Sequence, residues 1–362
     1  MITPRIGHLA LNTELILRRQ KLGIIDKNQL TIFVPIRGPI SNLYLYKMWK
    51  RIITIVDNPF LREFFLSLQM FCSRYVNVMS MQSNEYSEFN NASPMLAFSA
   101  DERREGDLVL SKMGISKKDW FVCVFSRDSA YLASVFKRGE FSYHDFRDAD
   151  IDSYIKAVKY IIDKGGWVIR LGKVVAKKMN FEHPRFIDYP FSEFQSDFMD
   201  IYLQWKCKFV VANTSGIGDV AKIFDTPFCG VNNIPIDHAP FGKKSIFIPK
   251  KLKRKDEGKY LSLDEYFKII EKKDLTGKDN GCYLQSGFYT NERLEIVDNS
   301  PEEILDVVKE MLNKVEGRYK ETAKEKKNQD KYQAIHLKSF QFSQVKTPIG
   351  TSFLKKNPWY IA

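Results

Sequence analysis

The sequence lacks the short signatures that mark several large classes of protein. Its five cysteines, Cys72, Cys123, Cys207, Cys229 and Cys282, are scattered, with no C-x-x-C pair and no histidine at zinc-ligand spacing. We interpret them as reduced core residues of a cytosolic protein. No basic, apolar and small leader opens the chain, and no apolar run reaches the roughly 18 residues that span a bilayer. We therefore expect a soluble, cytoplasmic protein, with peripheral contact at the inner face of the membrane left open.

Two nucleotide-binding fingerprints are also missing. No Lys-Ser/Thr pair follows a G-x-x-x-x-G, so a Walker loop is excluded, and the G-x-G-x-x-G dinucleotide pattern does not occur. Any phosphate site in this chain must therefore belong to another class.

The length and charge narrow the remaining choices. A chain of 362 residues is too long for one core of ordinary size and suggests two domains. The net charge of +12 indicates a polyanionic partner, such as nucleic acid, a phosphorylated small molecule or an anionic membrane surface. A generally lysine-rich proteome explains the same charge without any partner.

The most informative stretch is residues 207–235. Its apolar run at 209–211 stops at a polar turn, a helical segment follows, and Pro227 precedes a second apolar run. The turn contains Thr214, Ser215 and Gly216, whose amides would lie at a helix N-terminus, where an anion is favoured. We predict the anionic part of a ligand at this turn, although ordinary turn and N-cap chemistry accounts for the same residues.

Polar or charged residues also follow three other predicted strands. If the strands are parallel, as the alternating pattern suggests, these ends converge on one crevice. Arg127 is the first candidate for gripping a diphosphate, because its planar fork binds two oxygens at once, while a structural ion pair with Asp128 is the alternative. Arg147 is a weaker candidate. The converging residues are Ser126, Arg127, Arg170, Gly172, Asp188, Tyr189, Thr214, Ser215 and Gly216.

The N-terminal part supplies two candidates for a general base. Residues 1–8 are predicted as a strand, followed by a helix from about Leu9 to Lys21 and a strand at 30–36, which places His8 at a strand end. His8 is our first choice for a base or a phosphate anchor, unless it is satisfied within its own turn. Glu85, in a polar loop at 81–93, is the second choice, unless it is an exposed loop acid.

Three further segments bear on partners. The stretch 58–75 is apolar nearly all round, which favours a buried helix over a membrane-surface helix. The basic run 249–259 is either a solvated loop or a patch facing anionic lipid or an anionic acceptor. The tail carries several large apolar side chains, so we expect it to dock on the body.

Short segments along most of the chain resemble a family of bacterial glycosyltransferases from surface-polysaccharide gene clusters. The segments are R-I-G-H-L-A (5–10), F-S-A-D-E (98–102), S-R-D-S-A-Y (126–131), G-G-W-V-I-R-L-G (165–172), I-D-Y-P (187–190), D-I-Y-L (200–203), N-T-S-G (213–216) and F-L-K-K-N-P-W-Y (353–360). Where such relatives tend to carry His-Val-Arg-Asp, this chain has Phe125, Ser126, Arg127 and Asp128. The order of strands and turns also resembles the donor domain of heptosyltransferase-like enzymes.

The resemblance implies an α/β fold of the GT-B type, with two Rossmann-like domains facing a cleft. We place an acceptor-side domain at 1–116, a domain binding the nucleotide-sugar at 117–320, and a docking helix and tail at 321–362. In this scheme Ser215 and Gly216 meet the diphosphate, Arg127 neutralises it, and Asp188 and Tyr189 lie beside the base or ribose. The acceptor would be a glycan or a lipid-linked molecule, and neither a metal nor a further cofactor is expected.

The resulting hypothesis is a metal-independent transfer of sugar from a nucleotide-sugar donor. A nucleotide-sugar 2-epimerase on the same fold is a second hypothesis. A non-catalytic protein that binds nucleic acid or another polyanion is a third, although the basic residues form no recognisable binding module. A scaffold without a ligand is the fourth.

Overall fold

The computed structural model describes residues 1–26, 28, 30–71, 85–135, 142–274, 281–339 and 341–362. Cys72, the end of the helix predicted at 58–75 and the start of the loop predicted at 81–93 lie outside these residues. The α-helices are α1 (Ile6–Lys21), α2 (Leu43–Lys50), α3 (Pro59–Phe71), α4 (Tyr86–Asn91), α5 (Ala100–Lys112), α6 (Ala130–Val135), α7 (Ile155–Asp163), α8 (Asp197–Lys206), α9 (Gly218–Ile223), α10 (Leu263–Asp274), α11 (Ser286–Asn291), α12 (Pro301–Val315), α13 (Ala323–Lys338) and α14 (Thr351–Lys356). The strands are β1 (Ile32–Phe33), β2 (Thr54–Ile55), β3 (Phe121–Phe125), β4 (Trp167–Arg170), β5 (Phe186–Asp188), β6 (Val210–Ala212), β7 (Phe228–Asn233), β8 (Ile246–Pro249), β9 (Lys251–Arg254) and β10 (Leu294–Val297).

A six-stranded sheet in the order β5-β4-β3-β6-β7-β8 organises the chain. All five of its pairings are parallel, as the alternation of strands and helices predicts. After β3 the chain adds β4 and β5 on one side of that strand. It then returns to β6 on the other side of β3 and adds β7 and β8 beyond it. The strand order therefore reverses between these two neighbours, and in open parallel sheets ligands bind outside the carboxyl ends of the strands at such a point.

The sheet is buried on both faces. Successive residues of β3 enter different hydrophobic clusters, with Val122 and Val124 in one cluster and Cys123 in the other. This alternation is the period of two that a strand imposes on its side chains. Helices α7, α10, α12 and α13 cover the first face, and α1, α2, α5, α8 and α9 contribute to the second.

The N-terminal part does not form a second Rossmann-like sheet among residues 1–71 and 85–116. Its strands β1 and β2 make only a two-residue parallel ladder. Its helices instead bury Leu9 and Trp49 in the same cluster as Cys123 of β3. The two-domain arrangement predicted above is thus not confirmed, and the N-terminal helices pack on the sheet itself.

The predicted first strand is also absent from residues 1–8. Helix α1 begins at Ile6, three residues earlier than predicted, and ends at Lys21 as predicted. Before this helix, the carbonyls of Met1 and Thr3 accept hydrogen bonds from the amides of Ile36 and Ser41 at 2.9 and 3.0 Å. Residues 5–8 therefore lie at the start of a helix, not at the end of a strand.

The three segments noted for partner contacts behave differently from one another. Helix α3 has no fully buried residue at 59–68, so the prediction of a buried helix is wrong. The basic run 249–259 contains β9, whose Lys251 pairs with Glu303 of α12 at 2.9 Å. The tail buries Phe353 and Tyr360 in the first cluster. Among helices in the described ranges, none has the length and apolar character of a membrane span.

Candidate active site

A cavity of about 360 Å³ opens at the reversal point of the sheet. Its walls include the first turn of α1, the segments after β3 and β4, and the turn after β6. The segment between β7 and β8 closes a further side with Asp237, His238 and Phe241. Its volume lies within the range of small-molecule binding sites.

Three arginines line this cavity. Arg5 precedes α1, Arg127 follows β3, and Arg147 ends the 3-10 helix at Ser142–Arg147. Burial, together with the positive charges of Arg127 and Arg5, lowers the pKa of Arg147 to about 10. Burial likewise lowers the pKa of Arg127. The charged forms of Arg127 and Arg147 are therefore disfavoured by burial, and a bound anion would offset this cost.

The Arg127 side chain has spare hydrogen-bonding capacity. One of its terminal nitrogens pairs with the carboxylate of Asp148, while Nη2 has no hydrogen-bond partner among the described residues. Asp128, the partner considered from the sequence, accepts instead from the amides of Ala130 and Ala176 at 3.0 and 2.9 Å. The backbone amide of Arg127 donates to Asn213 Oδ1 at 2.8 Å, which ties the ends of β3 and β6 together.

The turn after β6 forms the opposite wall. Thr214, Ser215 and Gly216 all line the cavity. The buried hydroxyl of Ser215 has no hydrogen-bond partner in the described part of the chain. Buried polar groups are nearly always hydrogen-bonded in native proteins, so this hydroxyl, on a residue of the cavity wall, retains its capacity to bind a polar ligand atom.

Three histidines complete the polar lining, namely His8, His144 and His238. Burial lowers the pKa of each, and for His144 the value falls to about 3 because Arg147, Arg5 and Arg127 add their repulsion. His8 Nδ1 lies 3.4 Å from Asn12 Oδ1, so an Nδ1–H tautomer leaves Nε2 as the acceptor. The three imidazoles are therefore neutral near pH 7.

Three acidic residues at the cavity were not found from the sequence, and one of them, Asp219, pairs with Lys222 at 2.8 Å. Asp200 of α8 accepts a hydrogen bond from the Tyr189 hydroxyl at 2.9 Å, and burial raises its pKa to about 6. Asp237 accepts from Tyr283 at 2.8 Å through Oδ2, while its buried Oδ1 has no partner among the described residues. The carboxylates of Asp200 and Asp237 offer acceptors for the hydroxyl or amine groups of a ligand.

Five of the predicted donor-site residues are not in the cavity wall. Arg170 donates to both oxygens of Asp188 at 3.2 Å and to the Lys177 carbonyl at 2.7 Å. This ion pair therefore has a structural role. Tyr189 is fully buried behind Asp200. The hydroxyl of Ser126 donates to the Ala149 carbonyl at 2.6 Å. The other four residues belong to β4, β5 or the residues that follow them, and these strands lie outside the reversal point. The residues outside the wall are Ser126, Arg170, Gly172, Asp188 and Tyr189.

Glu85 also lies away from the cavity. Its carboxylate forms an ion pair with Arg19 of α1 at 3.0 Å, and Glu88 pairs with the same arginine at 2.8 Å. The structure therefore brings together His8, Arg127, Thr214, Ser215 and Gly216 from the predicted set, and joins to them the residues that the sequence did not single out, Arg5, His144, Asp200, Asp237 and His238.

Comparison with known proteins gives a weak structural likeness. No family model and no curated protein matches the sequence. The crystal structure of a glycosyl transferase family 9 protein from Veillonella parvula DSM 2008 is similar over 82% of this chain and 77% of that chain. The identity is 11% and the TM-score 0.38, so the cavity is interpreted below from its own geometry.

Proposed function

We propose that the protein is a glycosyltransferase that moves a sugar from a nucleotide-sugar donor to an acceptor hydroxyl. The observation that carries the proposal is the set of unpartnered donors at the reversal point of the sheet. Arg127 Nη2 and the Ser215 hydroxyl both lack partners among the described residues, and their residues, which follow different strands, line one cavity. A diphosphate is the ligand whose oxygens satisfy such donors while neutralising the surrounding arginines.

The leaving group is then a nucleoside diphosphate. As the bond from the anomeric carbon to the phosphate oxygen breaks, negative charge builds on the diphosphate. Arg5, Arg127 and Arg147 provide fixed positive charge around it, which is the role that a divalent cation fills in other transferases. Removal of one such preorganised donor costs about 3 to 4 kcal/mol of transition-state stabilisation.

The proton of the acceptor hydroxyl goes to a base. His8 is the proposed base because burial keeps it neutral and Asn12 orients its ring. The new bond forms between the acceptor oxygen and the anomeric carbon, and the proton remains on His8 until it leaves to solvent. The acceptor class we propose is a glycan or a lipid-linked glycan of bacterial surface polysaccharide synthesis, following the resemblance of the sequence segments.

The test is release of nucleoside diphosphate from UDP-, GDP- and CDP-linked sugars, with and without an extract of membrane glycolipids and with and without EDTA. The proposal predicts release that depends on acceptor, survives EDTA and is lost in His8→Gln and Arg127→Ala. Sugar epimerisation or donor hydrolysis of equal rate without any acceptor would assign the site to an epimerase or a hydrolase instead.

A further inference from the structure

Helix α3 exposes its apolar side. Phe60, Leu61 and Phe64 are 84%, 52% and 57% exposed, and their spacing places them on one face of the helix. A helix of such composition ordinarily turns this face toward the core. Folded monomers rarely expose adjoining large apolar groups, so this face indicates a contact with another surface.

The charges beside this face select the partner. Arg37, whose side chain is 78% exposed, donates to Glu63 of α3 at 3.1 Å, and Arg62 also pairs with Glu63. Two arginines therefore share one glutamate beside Phe60 and Phe64, which leaves one excess positive charge there. The whole chain carries a net charge of +12, so a second copy would be repelled, whereas an anionic bilayer would be attracted.

The exposed face is connected to the cavity through a short loop. Arg37 begins this loop, and Gly38 packs so closely on Pro4 that a Cβ there would lie 2.8 Å from Pro4 Cγ. Arg5 and Ser41, which flank this contact along the chain, line the cavity. A surface that binds the α3 face would therefore lie beside the cavity wall.

We infer that α3 docks on an anionic lipid bilayer, with Phe60, Leu61 and Phe64 inserted among the lipids and Arg37 and Arg62 at the headgroups. Phenylalanine and leucine insert at the boundary of headgroups and acyl chains, and basic residues bind anionic lipids there. Two cations of the basic run 249–259 considered from the sequence are already occupied, because Lys251 pairs with Glu303 and Lys250 is buried.

The experiment is co-sedimentation of the purified chain with vesicles of phosphatidylcholine alone or mixed with phosphatidylglycerol, without any sugar donor. The expected result is binding to the anionic vesicles only, which weakens as salt is added. The double variant Phe60→Ser/Phe64→Ser should lose binding by about tenfold or more, and Arg37→Ser/Arg62→Ser by roughly fivefold per cation.

Leu108→Ser is the matched control, because this leucine is 64% exposed on α5 and its removal leaves α3 intact. Leu108→Ser should bind the vesicles as the unaltered chain does. All variants should have the same midpoint of thermal unfolding as the unaltered chain. Absence of binding to anionic vesicles, equal binding to neutral ones, or binding that survives Phe60→Ser/Phe64→Ser would overturn the inference. So would a concentration-dependent dimer that the double variant abolishes, since the face would then bind a second copy. No donor is present, so these outcomes are independent of sugar transfer.

Discussion

Gly7 of α1 and Gly216 of the turn after β6 lie backbone to backbone. A Cβ on Gly7 would lie 2.7 Å from Gly216 Cα and 2.7 Å from an oxygen of Asp219. This approach brings the first turn of α1 against the turn that contains Ser215. The cavity wall is therefore assembled from two distant parts of the chain, and glycine at position 7 is required for their contact.

The substitution Gly7→Ala should therefore separate α1 from the turn. Real Cβ atoms are not found at such distances from backbone, so the wall must shift, and overpacking of this kind costs about 1 to 3 kcal/mol. We expect a lower midpoint of urea unfolding and weaker nucleotide binding. Gly287→Ala is the control, because nothing lies within 4 Å of its added Cβ in helix α11. Equal behaviour of the two variants would show that the contact is unimportant.

Arg170 should matter for stability and not for ligand binding. Removing one partner of a buried ion pair costs about 3 to 5 kcal/mol, so Arg170→Ala should greatly lower the free energy of unfolding. The double variant Arg170→Met/Asp188→Leu should regain part of that loss, because neither charge is then left unpaired. Urea titration measures both. If Arg170→Ala were as stable as the parent but bound no nucleotide, Arg170 would belong to the site after all.

Ser215→Ala should have the opposite effect to Arg170→Ala: it should weaken nucleotide binding and leave the stability of the free protein almost unchanged. The Ser215 hydroxyl makes no hydrogen bond in the described structure, so replacing it with an apolar group costs the free protein little or even stabilises it. The nucleotide-induced rise in unfolding midpoint should shrink, since one donor to the diphosphate is gone. A large loss of stability without ligand would indicate that the hydroxyl has a structural partner.

The cavity histidines should make the fold sensitive to acid. Above pH 6.5, the ordinary pKa, His144 is neutral in the folded and unfolded chains; below it the unfolded chain takes up the proton first, because the folded pKa is about 3. Stability from this group is thus lost as pH falls from 6.5 toward 3. His144→Gln should flatten the decline in unfolding midpoint between about pH 7 and 4.

Asp200→Asn should change the pH dependence of stability in the opposite direction to His144→Gln. Between its ordinary pKa of 3.8 and its folded value of about 6, the folded chain binds more protons than the unfolded chain, so Asp200 stabilises as pH falls through that window. Its removal should steepen the acid decline. If His144→Gln and Asp200→Asn both flattened, or both steepened, the fall of the unfolding midpoint with decreasing pH, the burial of these two groups would be contradicted.

The elements of the sheet could be predicted from the sequence because apolar runs and turn residues are local signals. The apolar runs predict strands at 120–125, 167–171 and 185–189 and a helix at about 196–205, and β3, β4, β5 and α8 lie within about one residue of these bounds. The strand order could not be predicted in this way. It depends on which strands pair over long distances, and it determines that Arg127 and Ser215 reach the cavity while Arg170 and Asp188 do not.

The rest of the candidate site was missed for the same reason. His144, Asp200 and Asp237 have no neighbours in the sequence that form a recognised motif, and they meet only when a 3-10 helix, α8 and the segment after β7 close around one space. The prediction of a buried helix at α3 failed for a different reason. Its apolar composition suggests burial, but composition does not reveal that Phe60 and Phe64 face outward.

The most direct measurement of the central claim is the thermal unfolding midpoint with UDP, GDP, CDP and CMP, with and without EDTA, for the parent chain and Arg127→Ala. A ligand at one hundred times its Kd stabilises the fold by about 2.7 kcal/mol, which is a rise of a few degrees. We predict such a rise with at least one nucleoside diphosphate, unaffected by EDTA and lost in Arg127→Ala, with little or none for the monophosphate. No rise with any nucleotide, or an equal rise in Arg127→Ala, would contradict a diphosphate site in this cavity.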